Sequence, residues 1–251
     1  MRVVSFDAAQ RVLHDARVER PRDVHVHAIA ARHGAMTLYG PVSTSRASIV
    51  RAGKRAVIRL DERDRGTPRE RFTVAHELEH HVMHDVDDHF EQCRGEGKRE
   101  GRAWQIEVEA NDFARELLAP RWLALPLCTS MSPTLDDVER FARTFQLSLE
   151  AAVIRYVELA HAAGVPCAAA LSVDGVIKWA PETHAFPGKI IRWRKLHPAS
   201  AAARILARAR KSGDGEPREV IGDAWRSPAP LVEHAVRLAD RTVLSFVVAP
   251  G

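Results

Sequence analysis

The stretch FTVAHELEHHVMHD, residues 72 to 85, constrains this chain more tightly than any other. His76 and His80 are four residues apart, and on a helix positions i and i+4 stack on one face. Two imidazoles placed this way point at a single ion, and Glu77 leans toward the same place as a general base. This is the H-E-x-x-H pattern of a zinc-binding helix. The setting is helical. Phe72, Ala75, Leu78, Val82 and Met83 form an apolar stripe, and the polar Asp61 to Arg71 stretch, with its Gly and Pro, leads into it. The spacing predicts a helix over residues 69 to 84.

Two histidines do not complete a catalytic zinc site, which normally has three protein ligands and a fourth position for water. One solution places a third His six residues past the second with a Gly between. Here those positions are Val86 and Met83, which excludes it. A carboxylate on a later helix is available in WQIEVEANDFARELLAP, residues 104 to 120, where Ile106, Ala110, Phe113, Leu117 and Leu118 recur at helical spacing. Glu107 and Asn111 share a face of that helix, so Glu107 can ligate and Asn111 can orient a ligand histidine. Glu109 points elsewhere on a regular helix and ranks second as the third ligand. His84 lies one turn past His80, about 6 Å along the axis, and suits an outer role beside the metal or a substrate contact. His81 points about 100° away from His80 and reads as structural or solvated. The cofactor implied is one catalytic Zn²⁺. The chain has 13 histidines, so the five-residue pattern alone is weak. Its helical setting and the offset pair Glu107 and Asn111 make it specific.

Together, F-T-V-A-H-E-L-x-H-H-x-x-x-H and E-x-E-A-N-D-F-A-R-E-L-L-A-P resemble the ImmA/IrrE family of metallo-endopeptidases. The likeness runs over residues 22 to 125 and more loosely over 135 to 160. It implies a zincin-like core, zinc held by His76, His80 and Glu107, and Glu77 as the catalytic base. It also implies a protein substrate such as a helix-turn-helix repressor or antitoxin-like partner, cut to switch on mobile-element or stress genes. One departure is Glu79, where the family usually has Gly. A carboxylate there is expected to crowd or charge the substrate cleft.

The remaining elements give an α+β reading. The zincin-like core, with its small sheet and ligand helices, spans residues 1–125. A helical pair follows over 126–163, then a small α+β region over 164–251 that suits a regulatory role. Helices are expected over Asp7 to Val18 and, capped by Asp23, over Val24 to His33. Met36 to Tyr39 reads as a strand, and Ala47 to Arg51 and Arg55 to Leu60 as a hairpin about Gly53-Lys54. Thr134 and Ser148 cap two helices that resemble a helix-turn-helix, although Arg155 is the only basic residue on the second. Asp174-Gly175 marks a hairpin, Ala199 to Lys211 a basic helix, and Glu219 to Trp225 and Thr242 to Val248 strands. Trp179, Trp193 and Trp225 are expected to anchor the core of this region.

The net charge is only +4, yet Lys189 to Arg218 is crowded with Arg and Lys, a candidate polyanion-facing patch or a solvated helix face. These features support an alternative reading, a non-catalytic DNA- or repressor-binding regulator on a peptidase fold. No run approaches the ~18 apolar residues of a membrane span, and the N-terminus lacks the apolar stretch of a signal peptide. Three scattered cysteines, Cys93, Cys128 and Cys167, fit a reducing cytoplasm and none suits zinc.

Overall fold

The computed structural model describes residues 2–41, 47–83, 102–208 and 216–250. The fold is α+β and divides into two compact units: Met1–Leu123 with Thr144–Ser148, and Ala124–Arg143 with Leu149–Gly251.

The first unit opens with α1 (Arg2–Asp15). Ser5, Ala8, Ala9, Val12 and Leu13 line its buried face, so the helix begins a turn earlier than the apolar residues alone suggest. It stops before Val18. Arg17 adopts a left-handed φ of 55°, its N–H donates to the His14 carbonyl, and the Val18 N–H donates to the Leu13 carbonyl. This Schellman arrangement tucks Val18 inward. Helix α2 (Val26–Arg32) also differs from expectation. Asp23 belongs to a preceding 3₁₀ turn, where its carboxylate accepts from the N–H groups of Glu19 and Arg20. His25, not Asp23, occupies the helix cap.

Strands β1 (Ala35–Tyr39), β2 (Ala47–Ala52) and β3 (Arg55–Leu60) form a sheet in the order β1-β3-β2, with β3 parallel to β1 and antiparallel to β2. In β3 the strict alternation turns Ala56, Ile58 and Leu60 into the core. Helix α3 (Pro68–Met83) packs on the sheet and against α4 (Arg102–Leu118) through Val74, Ala75 and Leu78, which meet a core containing Phe113, Ala114 and Leu117. The short α5 (Arg121–Ala124) follows.

The start of α3 is pinned by groups the sequence leaves looking solvated. Thr67 caps the helix, its Oγ1 accepting from the Glu70 N–H at 3.3 Å, and Pro68 occupies the first turn. Glu70 is buried and accepts from the Gly66 N–H and the Tyr39 hydroxyl, while His27 Nε2 lies 2.7 Å from its Oε1. The metal-motif helix is thus tied at its first turn to both β1 and α2.

The second unit holds most of α6 (Leu135–Phe145) and all of α7 (Leu149–Ala162). Thr134 and Asp137 form a reciprocal cap: the Asp137 carboxylate accepts from the Thr134 N–H at 2.8 Å, and Thr134 Oγ1 accepts from the Asp137 N–H at 3.3 Å. The sheet is built from β4 (Cys167–Val173) and β5 (Val176–Trp179), and after α8 (Ala201–Leu206), from β6 (Pro217–Val220), β7 (Leu231–Ala239) and β8 (Thr242–Val248). Its order is β5-β4-β8-β7-β6, antiparallel throughout. Asp174 and Gly175 are both left-handed, at φ 53° and 74°, as a type I′ turn requires.

Two expectations are corrected here, and one strand appears that the sequence did not announce. The segment Glu219 to Trp225 is half strand and half 3₁₀ turn (Gly222–Trp225). Strand β7 lacks a sequence signature because Glu233 and His234 sit buried in its middle. Of the three tryptophans, Trp225 is buried, Trp179 is half-buried and hydrogen-bonded to Glu150, and Trp193 is 69% exposed with Lys178 Nζ above its ring.

Candidate metal centre

The i, i+4 geometry of α3 brings His76 and His80 together, with Nε2 atoms 3.2 Å apart and rings edge-on at a centroid distance of 4.9 Å. Helix α4 supplies Glu107, whose Oε2 lies 3.5 Å from His76 Nε2. Among the described residues these three form the one group whose ligating atoms all lie within 4.8 Å of one another, and Glu109 is not part of it. Four tetrahedral ligands at 2.0–2.2 Å from a zinc ion stand about 3.3–3.6 Å from each other. The 3.2 and 3.5 Å separations therefore fit a shared ion of that size.

The donor set also has the right surroundings. Asn111 Oδ1 lies 3.2 Å from His76 Nδ1, which leaves Nε2 facing the cluster. Behind His80, the Glu79 Oε2 is 3.3 Å from Nδ1. Glu79 is fully buried. The expectation that its charge faces a cleft is thus corrected: the side chain turns into the protein, beside His80. Glu77 is 1% exposed and His80 2%, while the His76 and Glu107 side chains remain 12% and 26% exposed. The centre is therefore reached from the His76–Glu107 side. Burial disfavours the charged His76 ring, but the hydrogen bond to Glu107 and the charges of Glu77, Glu107 and Glu79 outweigh it and hold the ring above the ordinary histidine range. Such a concentration of carboxylate charge about two imidazoles suits a dication.

His84, the remaining residue singled out for the site, lies outside the described residues. His81 donates no ligand to the cluster; its Nε2 is 3.1 Å from the His33 carbonyl, which ties α3 to the end of α2.

The chain matches the family described as Peptidase_M78, IrrE N-terminal-like domain, over residues 30–157, slightly more than half its length. The chain belongs to this family. The IrrE-like region takes in α3, α4 and the whole metal cluster. No curated protein matches the chain. Among solved structures, a Mycobacterium tuberculosis transcriptional regulator superimposes with a TM-score of 0.63 at 14% identity, covering 98% of this chain and 76% of that one. At that identity the likeness concerns the fold alone.

The residues sequence reasoning missed are those that hold the IrrE-like helix in place. Thr67 and Glu70 stand three apart with Pro68 between, a capping signal hidden inside the charged run DERDRGTPRER. Burial and the Glu70 carboxylate push the Tyr39 phenol up to about 12, so Tyr39 stays protonated and keeps donating to Glu70.

Proposed function

We propose that this chain is a zinc-dependent endopeptidase that cuts a partner protein, a helix-turn-helix repressor or antitoxin-like regulator. The observation that carries this reading is the convergence of His76, His80 and Glu107 beside the buried carboxylate of Glu77. His76, His80 and Glu107 would hold the metal through Nε2, Nε2 and a carboxylate oxygen. A zinc ion bound there supplies a Lewis acid for the scissile carbonyl and acidifies the attacking water. Glu77 takes the water's proton and passes it to the amine that leaves as the peptide C–N bond breaks. Asn111 keeps His76 in the tautomer that presents Nε2, and Glu79 backs His80.

The regulatory setting rests on family membership and on the fold shared with the Mycobacterium tuberculosis transcriptional regulator. A cytoplasmic location agrees with Cys128 and Cys167 being free, buried thiols. Among the described residues no helix is long and apolar enough to cross a membrane.

Metal analysis and cleavage of a co-expressed repressor test the reading together. The wild type should carry about one zinc per chain. Glu77→Gln should keep the metal and cut about 10²–10⁴-fold more slowly. His80→Ala should lose both. A wild-type chain with no affinity for zinc would leave instead the regulator that acts by binding. A gel shift with DNA at moderate salt reports on that alternative.

A further inference from the structure

The second unit contains a concavity of about 430 Å³ that has no part in the metal centre. Its floor is apolar, with the buried Ile177, Ile190 and Trp225. Its rim is cationic: Lys189, Arg194, Lys195 and Arg226 stand around it against a single acid, Asp223. Lys189 is engaged by Glu182. Among the described residues, Arg194, Lys195 and Arg226 have no carboxylate partner. An apolar floor with a few convergent polar groups, in a volume of this size, is the usual make-up of a small-molecule site.

The walls are fixed by backbone contacts rather than left to loop motion. The Lys189 N–H donates to the Trp225 carbonyl at 3.0 Å, which locks one wall to the 3₁₀ turn. That approach is so close that a Cβ at Gly188 would lie 2.6 Å from the Trp225 oxygen. The Ile177 N–H donates to the Arg194 carbonyl at 2.9 Å, and the Leu196 N–H to the Gly175 carbonyl at 2.8 Å, which hold the cationic loop along β5. Trp225 Nε1 donates to the buried Glu233 at 3.0 Å, which sets the indole in the floor. Arg226 adopts a left-handed φ of 53°, a conformation costly for a non-glycine residue and retained here at the rim.

We propose that this pocket binds a small amphiphilic anion: a phosphate joined to a flat, largely apolar body. The body lies on Ile177 and Ile190, and the oxyanion is gripped by Arg194, Lys195 and Arg226 through charge-assisted hydrogen bonds. This site is independent of the peptidase reading, and its test needs no activity. Calorimetry on the full chain uses four probes: phenyl phosphate, adenosine 5′-monophosphate, inorganic phosphate and a single-stranded oligonucleotide. Phenyl phosphate or the nucleotide should bind more tightly than inorganic phosphate, because only they also cover the floor. Each of Arg194→Ala and Arg226→Ala should weaken that binding about tenfold or more. Both arginines are exposed, and circular dichroism checks that the variants stay folded. The proposal is overturned if no phosphate compound binds, if binding is the same in both variants, or if only the oligonucleotide binds, which would make the rim a nucleic-acid face.

Discussion

Asn111 reaches His76 from a helix 35 residues further along the chain, and its amide oxygen lies 3.2 Å from Nδ1. Its removal leaves both imidazoles and Glu107 in place but frees the His76 ring to rotate. Asn111→Ala should therefore weaken zinc binding about 10–100-fold without loss of helix content, as measured by competition with a metal indicator. Unchanged affinity would mean that helix geometry alone orients His76. The cysteines make a different case. Burial pushes the thiols of Cys128 and Cys167 up to about 12. At pH 8 only about one molecule in ten thousand then carries either thiolate, and the thiolate is the reactive form. In a Cys93→Ser background, a thiol reagent at pH 8 should label neither residue until denaturant is added. Prompt labelling in buffer would show that these thiols are reached in the folded protein.

At the scale of elements, two junctions concentrate stability. Gly34 joins α2 to β1 at a φ of +85°, its carbonyl accepts from the Ala56 N–H, and an added Cβ would lie 2.4 Å from the Lys54 carbonyl oxygen. Strain and clash add, so Gly34→Ala should cost roughly 2–4 kcal/mol in urea unfolding. A cost below a few tenths would mean that this junction relaxes freely. In the second unit, Glu233 on β7 accepts from four donors: the N–H groups of Ala201 and Ala202 at the start of α8, the Trp225 indole and the Ser245 hydroxyl. One carboxylate thus joins a helix, a turn and two strands. Glu233→Ala strands all four donors at a buried position and should cost about 3–5 kcal/mol. A loss of less than about 1 kcal/mol would show that water enters to replace it.

At the scale of the whole molecule, a metal that binds only the folded chain must stabilise it. Zinc at a hundred times its dissociation constant should add about 2.7 kcal/mol, read as a higher melting temperature that a chelator reverses. His80→Ala should show no such shift. Much of this architecture was legible along the chain because it is written in short-range pattern. The i, i+4 pair of α3, the apolar stripes of α3 and α4, the alternation in β3 and the Asp174-Gly175 turn each express a backbone preference within a few residues. What stayed hidden depended on partners remote in sequence. Glu70 and Glu233 look like surface residues until Tyr39, Gly66, Trp225 and Ser245 arrive to hydrogen-bond them, and Trp193 looks like core until the loop around it turns outward. Local pattern along the chain was enough to tell which segments coil, which extend, and that two imidazoles share a face. Folding chose which carboxylates enter the interior, brought Glu107 rather than Glu109 beside those imidazoles, and set a cationic rim around an apolar floor. Backbone preferences act within a turn or two, whereas burying a charge depends on donors that folding brings from distant parts of the chain.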